Sequence, residues 1–180
     1  MTNRGHRLAG ETVYDGKIFR VERDRVRLPN GREATLEVVR HEGSVVLMPI
    51  PEPGHVILVR QYRYAVDEHL WELAAGSLEP GEDPAAGAAR ECEEETGLVP
   101  SKVELVGRFY PTPGYCDELM NFFRLDGLAK RTEGTAALPD DDEDLEVRSF
   151  SLDELKRLLR DGAIRDLKTA VGVGLLDGTL

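Results

Sequence analysis

Residues 76 to 98 read GSLEPGEDPAAGAARECEEETGL. Asp83 is a helix N-cap type, Pro84 suits a first turn in which its missing N–H costs nothing, and Gly97 accepts the left-handed conformation that ends a helix. Between these marks Glu91 and Glu95 lie four apart and Glu91 and Glu94 three apart, so all three project from one helical face. Ala85, Ala88, Ala89 and Cys92 fall on the adjoining side and give a small-residue face that packs closely on a sheet. The segment is a helix with one face for packing and one of acid.

Glutamates spaced this way repel by a few tenths of a kcal/mol per pair, about 0.2–0.5, and Arg90 is the one cation close by. Hard divalent cations neutralise such clusters: Mg²⁺ is held by a few carboxylates while it bridges substrate phosphates. The pattern suits phosphoryl or pyrophosphate transfer, in which metal neutralises non-bridging oxygens and polarises the attacking water. The bland alternative is a solvated, salt-laced helix face.

Working outward, LWEL (70–73) leads into the glycine-containing loop before this helix. VVLMPI (45–50) and HVILVRQYR (55–63) read as strands separated by the turn-rich Pro51-Glu52-Pro53-Gly54. Residues 12 to 40 read as a β meander, with extended stretches at 18–28 and 34–39 joined by Pro29-Asn30-Gly31. Strands are expected at 103–110, 120–125 and 146–150. Ser151-Leu152-Asp153-Glu154 is a capping box before a leucine stripe, with Gly162 placed to stop the helix, and a last helix covers about 166 to 176. The sum is an α/β fold: a mixed sheet flanked by helices and preceded by an N-terminal hairpin. Residues 1–42 are expected to form the hairpin region and 43–180 the catalytic domain.

The chain has 180 residues, enough to bury a core, with 41% hydrophobic and 32% charged residues. No run approaches the roughly 18 apolar residues that span a bilayer, and no secretory signal is visible, so a cytoplasmic protein is expected. Cys92 and Cys116 make no disulfide framework and no zinc-site spacing. A formal charge of −11 argues against nonspecific nucleic-acid or anionic-membrane binding, so any phosphate ligand is small.

Read as a pattern, the opening segment is Gly76, Glu82, Arg90-Glu91-Cys92, Glu94-Glu95 and Gly97-Leu98 at fixed spacing. This resembles the Nudix box at every specified position, with Cys92 where an aliphatic residue is usual. The resemblance implies an α/β/α sandwich with a mixed sheet and a Mg²⁺- or Mn²⁺-dependent attack of water on a diphosphate. It makes Glu91 and Glu95 the principal metal ligands, Glu94 an additional ligand or water contact, and the Ala75 carbonyl a further ligand. Arg90 and Glu82 are supporting residues.

The flanks LVRQYRY (58–64) and LWELAAG (70–76) look like the ADP-ribose pyrophosphatase branch of that family, with Ala74 in place of its usual proline. The branch implies a homodimer built through the N-terminal hairpin, which also supplies an aromatic to stack on adenine. Phe19, beside Ile18, occupies that region, and hairpin core is its alternative. Arg63 would contact the diphosphate or ribose, with Arg40 and Glu72 as further contacts; an ordinary surface charge is the alternative for each. Pro113 falls where the branch carries a proline in a substrate-facing loop. The acidic run at 139–144 aligns with a loop that brings a carboxylate to the site, giving Glu143 as a ligand and Asp141 as general base, with Glu91 or Glu82 as alternative bases. The expected reaction is ADP-ribose to AMP and ribose 5-phosphate. Other GDP- or UDP-sugars, and a noncatalytic nucleotide-binding regulator, are the rivals.

Overall fold

The computed structural model describes residues 4–131 and 145–180. The chain divides into two compact units: one runs through Gly43 and adds Phe109–Met120, and the other holds Ser44–Arg108 and Asn121–Leu180.

The first unit is a three-stranded antiparallel sheet, β1 (His6–Asp15), β2 (Arg20–Arg27) and β3 (Glu33–Arg40), in that order. The meander therefore has one strand more than the sequence pattern suggests. β1 is exposed along its whole length, so it carries no buried-face alternation to read; pairing with β2, with irregularities at Arg7/Ala9 and Thr12/Tyr14, forms it instead. The turn after β2 is where expected: Gly31 has a φ of 81° and donates to the Leu28 carbonyl at 2.9 Å. Phe109–Met120 joins this sheet through Val39, which donates to the Tyr115 carbonyl at 2.7 Å and accepts from the Asp117 amide at 3.1 Å.

In the second unit the four-stranded sheet runs β7 (Ala75–Ser77), β4 (Ser44–Pro49), β10 (Met120–Asp126), β9 (Lys102–Phe109). β5 (His55–Arg63) lies between β12 (Glu146–Ser151) and β6 (Glu68–Glu72), and the short β8 (Leu98–Val99) and β11 (Ala129–Lys130) pair with each other. Every residue of β4 is buried, the mark of a strand covered on two faces. Val45 and Leu47 pack with Ala88 and Cys92 of α1 (Pro84–Thr96), along with Val59, Phe123 and Leu125. Met48 meets α3 (Leu167–Asp177) at Gly172, where a Cβ would run into Leu73 and come within 3.3 Å of the Met48 sulfur. Helices thus cover both faces of a mixed sheet, the expected α/β/α sandwich. α2 (Leu152–Arg160) follows β12 and rests on α3. The expected loop before α1 differs in one respect: Ala75–Ser77 pairs with Val46, Val45 and Ser44 as an edge strand.

Candidate active site

α1 forms where its caps dictate. The Asp83 carboxylate accepts from the Ala86 amide at 3.1 Å, and Gly97, at φ 69°, closes the helix through a bond to the Glu93 carbonyl at 3.0 Å. Its small-residue face is buried at Gly87, Ala88 and Cys92. Burial pushes the Cys92 thiol up to about 11, which suits a packing residue and not a nucleophile.

On the acid face Arg90 sits among its neighbours. Nε and Nη2 each donate to Glu82 at 3.0 Å, and Nη1 donates to Glu91 at 2.7 Å and to Glu94 at 2.9 Å. These bonds to Glu82 hold its carboxyl below the ordinary value. Glu91 goes the other way: burial raises it, outweighing the Arg90 contact, and the charges of Glu94 and Glu82 add to the rise. The Glu91 carboxylate lies over Gly76 of β7, where any Cβ would collide with it. That contact is why the segment opens with glycine.

Glu95 accepts from the Ala75 amide at 3.2 Å, so the residue expected to lend a carbonyl is tied to the helix through its N–H. Among the described residues no three acidic, histidine or cysteine side chains are arranged so that they could hold a metal ion together. The donor set still fits a hard divalent cation. Glu91, Glu94 and Glu95 are all carboxylates from one face of one helix, with no nitrogen or sulfur donor among them, and one guanidinium serves Glu82, Glu91 and Glu94 together.

Arg63 and Glu72 also come together. Arg63, at the end of β5, grips the Glu72 carboxylate in a fork, Nε at 2.7 Å and Nη2 at 3.0 Å. Glu72 is buried, and Lys168 from the first turn of α3, itself buried, bonds the same oxygen as Nη2. Burial works to raise the Glu72 carboxyl, but Arg63 and Lys168 outweigh it and the value falls below the ordinary range. Arg63 feels the charges of Glu95 on the helix's acid face and of Asp166 as well as that of Glu72. Lys168 is a residue that reading the sequence missed. A single lysine near a helix start carries no signal until the fold sets it against β6.

Phe19, Arg40 and Pro113 all belong to the first unit. Phe19 precedes β2 and is 41% exposed, its ring 5.7 Å from that of Tyr14. The Arg40 guanidinium is committed to three carboxylates: Glu22 and Asp24 at 2.9 Å each and Asp117 at 3.1 Å. It thereby ties the Pro113 loop to the sheet, and Pro113 itself is exposed. Asp141 and Glu143 lie outside the described residues.

Residues 40–170 match the NUDIX domain family, and residues 6–39 match the nucleoside diphosphate sugar hydrolase N-terminal domain. The chain is 36% identical to the methanol dehydrogenase activator of Bacillus methanolicus, over 92% of this chain and 89% of that protein. It is 34% identical to the ADP-ribose pyrophosphatase of Bacillus subtilis, over 94% and 90% respectively. A crystal structure titled ADP compounds hydrolase superposes with a TM-score of 0.82 at 23% identity, covering 98% of this chain and 94% of that one, and shows the same fold. With the acid helix, the glycine beneath Glu91 and a family match over most of its length, the chain belongs to the NUDIX hydrolases.

Proposed function

We propose that the protein hydrolyses the diphosphate of ADP-ribose to AMP and ribose 5-phosphate, with Mg²⁺ or Mn²⁺ as cofactor, as a cytoplasmic homodimer. The observation that carries the reading is the packing of Glu82, Glu91 and Glu94 around one arginine on the face that also bears Glu95. Such a concentration of negative charge repels a diphosphate unless cations intervene. Bound divalent cations supply charge neutralisation at the non-bridging oxygens and acidify the attacking water.

The remaining work belongs to side chains. Glu91 and Glu95 hold the cations, with Glu94 and the Ala75 carbonyl in support, and Arg90 keeps the glutamates oriented. Arg63 aims at the diphosphate from a fork on Glu72. A carboxylate takes the proton of the attacking water, whose oxygen forms the new bond to phosphorus as the bridging P–O bond breaks. Asp141 is the first choice for that base, with Glu91 or Glu82 as alternatives, and Glu143 is an added ligand. Glu82 is the weakest of the three bases, because both its oxygens accept from Arg90. Phe19, half-exposed, is available to stack on a base, and Arg40 and Pro113 shape the same unit. Apolar side chains exposed on that sheet, among them Leu8, Val13, Tyr14 and Leu36, with Ile18 in the turn between β1 and β2, favour a dimer through it. Among the described residues no helix is long and apolar enough to cross a membrane, and a formal charge of −11 disfavours a nucleic-acid partner.

The test is AMP release from ADP-ribose beside ADP-glucose, GDP-mannose, UDP-glucose and NADH, with Mg²⁺, Mn²⁺ or EDTA, and sedimentation to give the mass. Metal-dependent preference for ADP-ribose is expected. Preference for another nucleotide sugar moves the substrate and keeps the chemistry, whereas binding without turnover of any compound selects the regulator.

A further inference from the structure

α3 begins at a cluster in which every polar group has a partner. Asp166, its N-cap, accepts from the Thr169 amide at 2.9 Å and from the Thr169 hydroxyl at 2.6 Å, and takes an ion pair from Lys168 at 3.2 Å. Thr169, fully buried, accepts in turn from the Leu73 amide at 2.8 Å. Lys168 bonds the Glu72 oxygen that also receives Arg63 Nη2. Two consecutive residues of α3 therefore hold Glu72, the last residue of β6, and Leu73 just after it, each ninety-six positions earlier in the chain. Two and three residues beyond Leu73, Ala75 meets Glu95 and Gly76 lies under Glu91.

The charges balance, two cations against two carboxylates, yet the members differ in freedom. Glu72 and Lys168 have side chains 2% and 8% exposed, whereas that of Arg63 is 44% exposed. A core made only for stability has little need of a lysine here, since a well-packed apolar group of the same volume is commonly as stable as a buried ion pair. A buried lysine does fix an angle. With Lys168 on one oxygen, Glu72 is pinned from behind and presents a fixed fork to the half-exposed guanidinium of Arg63.

We infer that Lys168 is a positioning residue that, through Glu72, sets the direction of Arg63 toward the diphosphate of the substrate. The inference rests on the reading of Arg63 given above. Without Lys168 the Glu72 carboxylate can rotate and Arg63 rotates with it, so substrate binding weakens while the glutamates of α1 keep their geometry.

Lys168→Met and Arg63→Ala, singly and together, are compared with wild type on ADP-ribose with Mg²⁺. Lys168→Met is expected to raise KM about tenfold with kcat little changed, and in the double variant to add nothing to Arg63→Ala, since both act on one contact. Full additivity, or a lowered melting temperature with wild-type KM, overturns the proposal. Lys168→Gln, which keeps a donor, is expected to fall between wild type and Met, and carries the same comparison if Lys168→Met does not fold. The Arg63 Nε–H signal in nitrogen-15 NMR needs no substrate. Slow solvent exchange in wild type that is lost in the Lys168 variants supports the proposal, and unchanged exchange overturns it. If wild type leaves ADP-ribose intact, the substrate reading fails and this signal still decides the role of Lys168.

Discussion

At the scale of single residues, the site depends on contacts with no slack. The Glu91 carboxylate occupies the space of a side chain at Gly76. Gly76→Ala is expected to displace Glu91 and cut kcat by about a hundredfold, the effect of misplacing a catalytic group by roughly 1 Å; wild-type turnover would show the contact to be dispensable. Glu95→Gln keeps an oxygen for the Ala75 amide while removing the charge proposed to hold a cation. We expect it to fold normally, by circular dichroism, and to lose about a hundredfold or more in turnover. Near-normal rates would move the metal elsewhere. Glu72 answers to pH: its folded value lies below its ordinary value, so its stabilising contribution is complete at neutral pH and drains away as pH falls through the folded value. The wild-type melting temperature should therefore fall on acidification below about pH 4.5. Glu72→Gln leaves Lys168 and Arg63 without their shared anion and should lose about 3 kcal/mol at pH 7. Below that range its melting temperature should respond less to acid than that of wild type.

Among elements, those with strong end signals could be read in the chain. Asp83, Pro84 and Gly97 mark α1, and the residues they predict are the residues found. Ser151 caps α2 by accepting from the Glu154 amide at 3.2 Å, while the Glu154 carboxylate accepts from Arg148 at 2.9 Å. Ser151→Ala should cost about 1 kcal/mol in thermal or urea unfolding and leave kcat/KM unchanged. A loss of activity would tie α2 to the site. What stayed hidden was whatever depends on pairing alone. β1 has no buried face, β7 is three residues long, and the Lys168 clasp joins groups far apart in sequence. None of these writes a local periodicity. The carboxylates of α1 were legible because one helical turn brings them together. The Glu72–Lys168 pair was not, because only the completed sandwich does.

For the molecule as a whole, the residues proposed for substrate choice and for chemistry belong to separate compact units, Phe19 to the first and the glutamates of α1 to the second. If Phe19 stacks on adenine, Phe19→Ala should raise KM by up to about tenfold with a smaller effect on kcat; an unchanged KM would return Phe19 to a packing role. The first unit is discontinuous, since Phe109–Met120 belongs with the residues up to Gly43. Arg40 binds Asp117, and Val39 pairs on either side of Cys116. Exchanging the N-terminal unit with that of a relative by a single crossover after Gly43 would thus graft a sheet onto a foreign loop and leave Arg40 facing a partner it was not selected with. A working chimera needs two exchanged segments, and genes that recombine at one point inherit the mismatch.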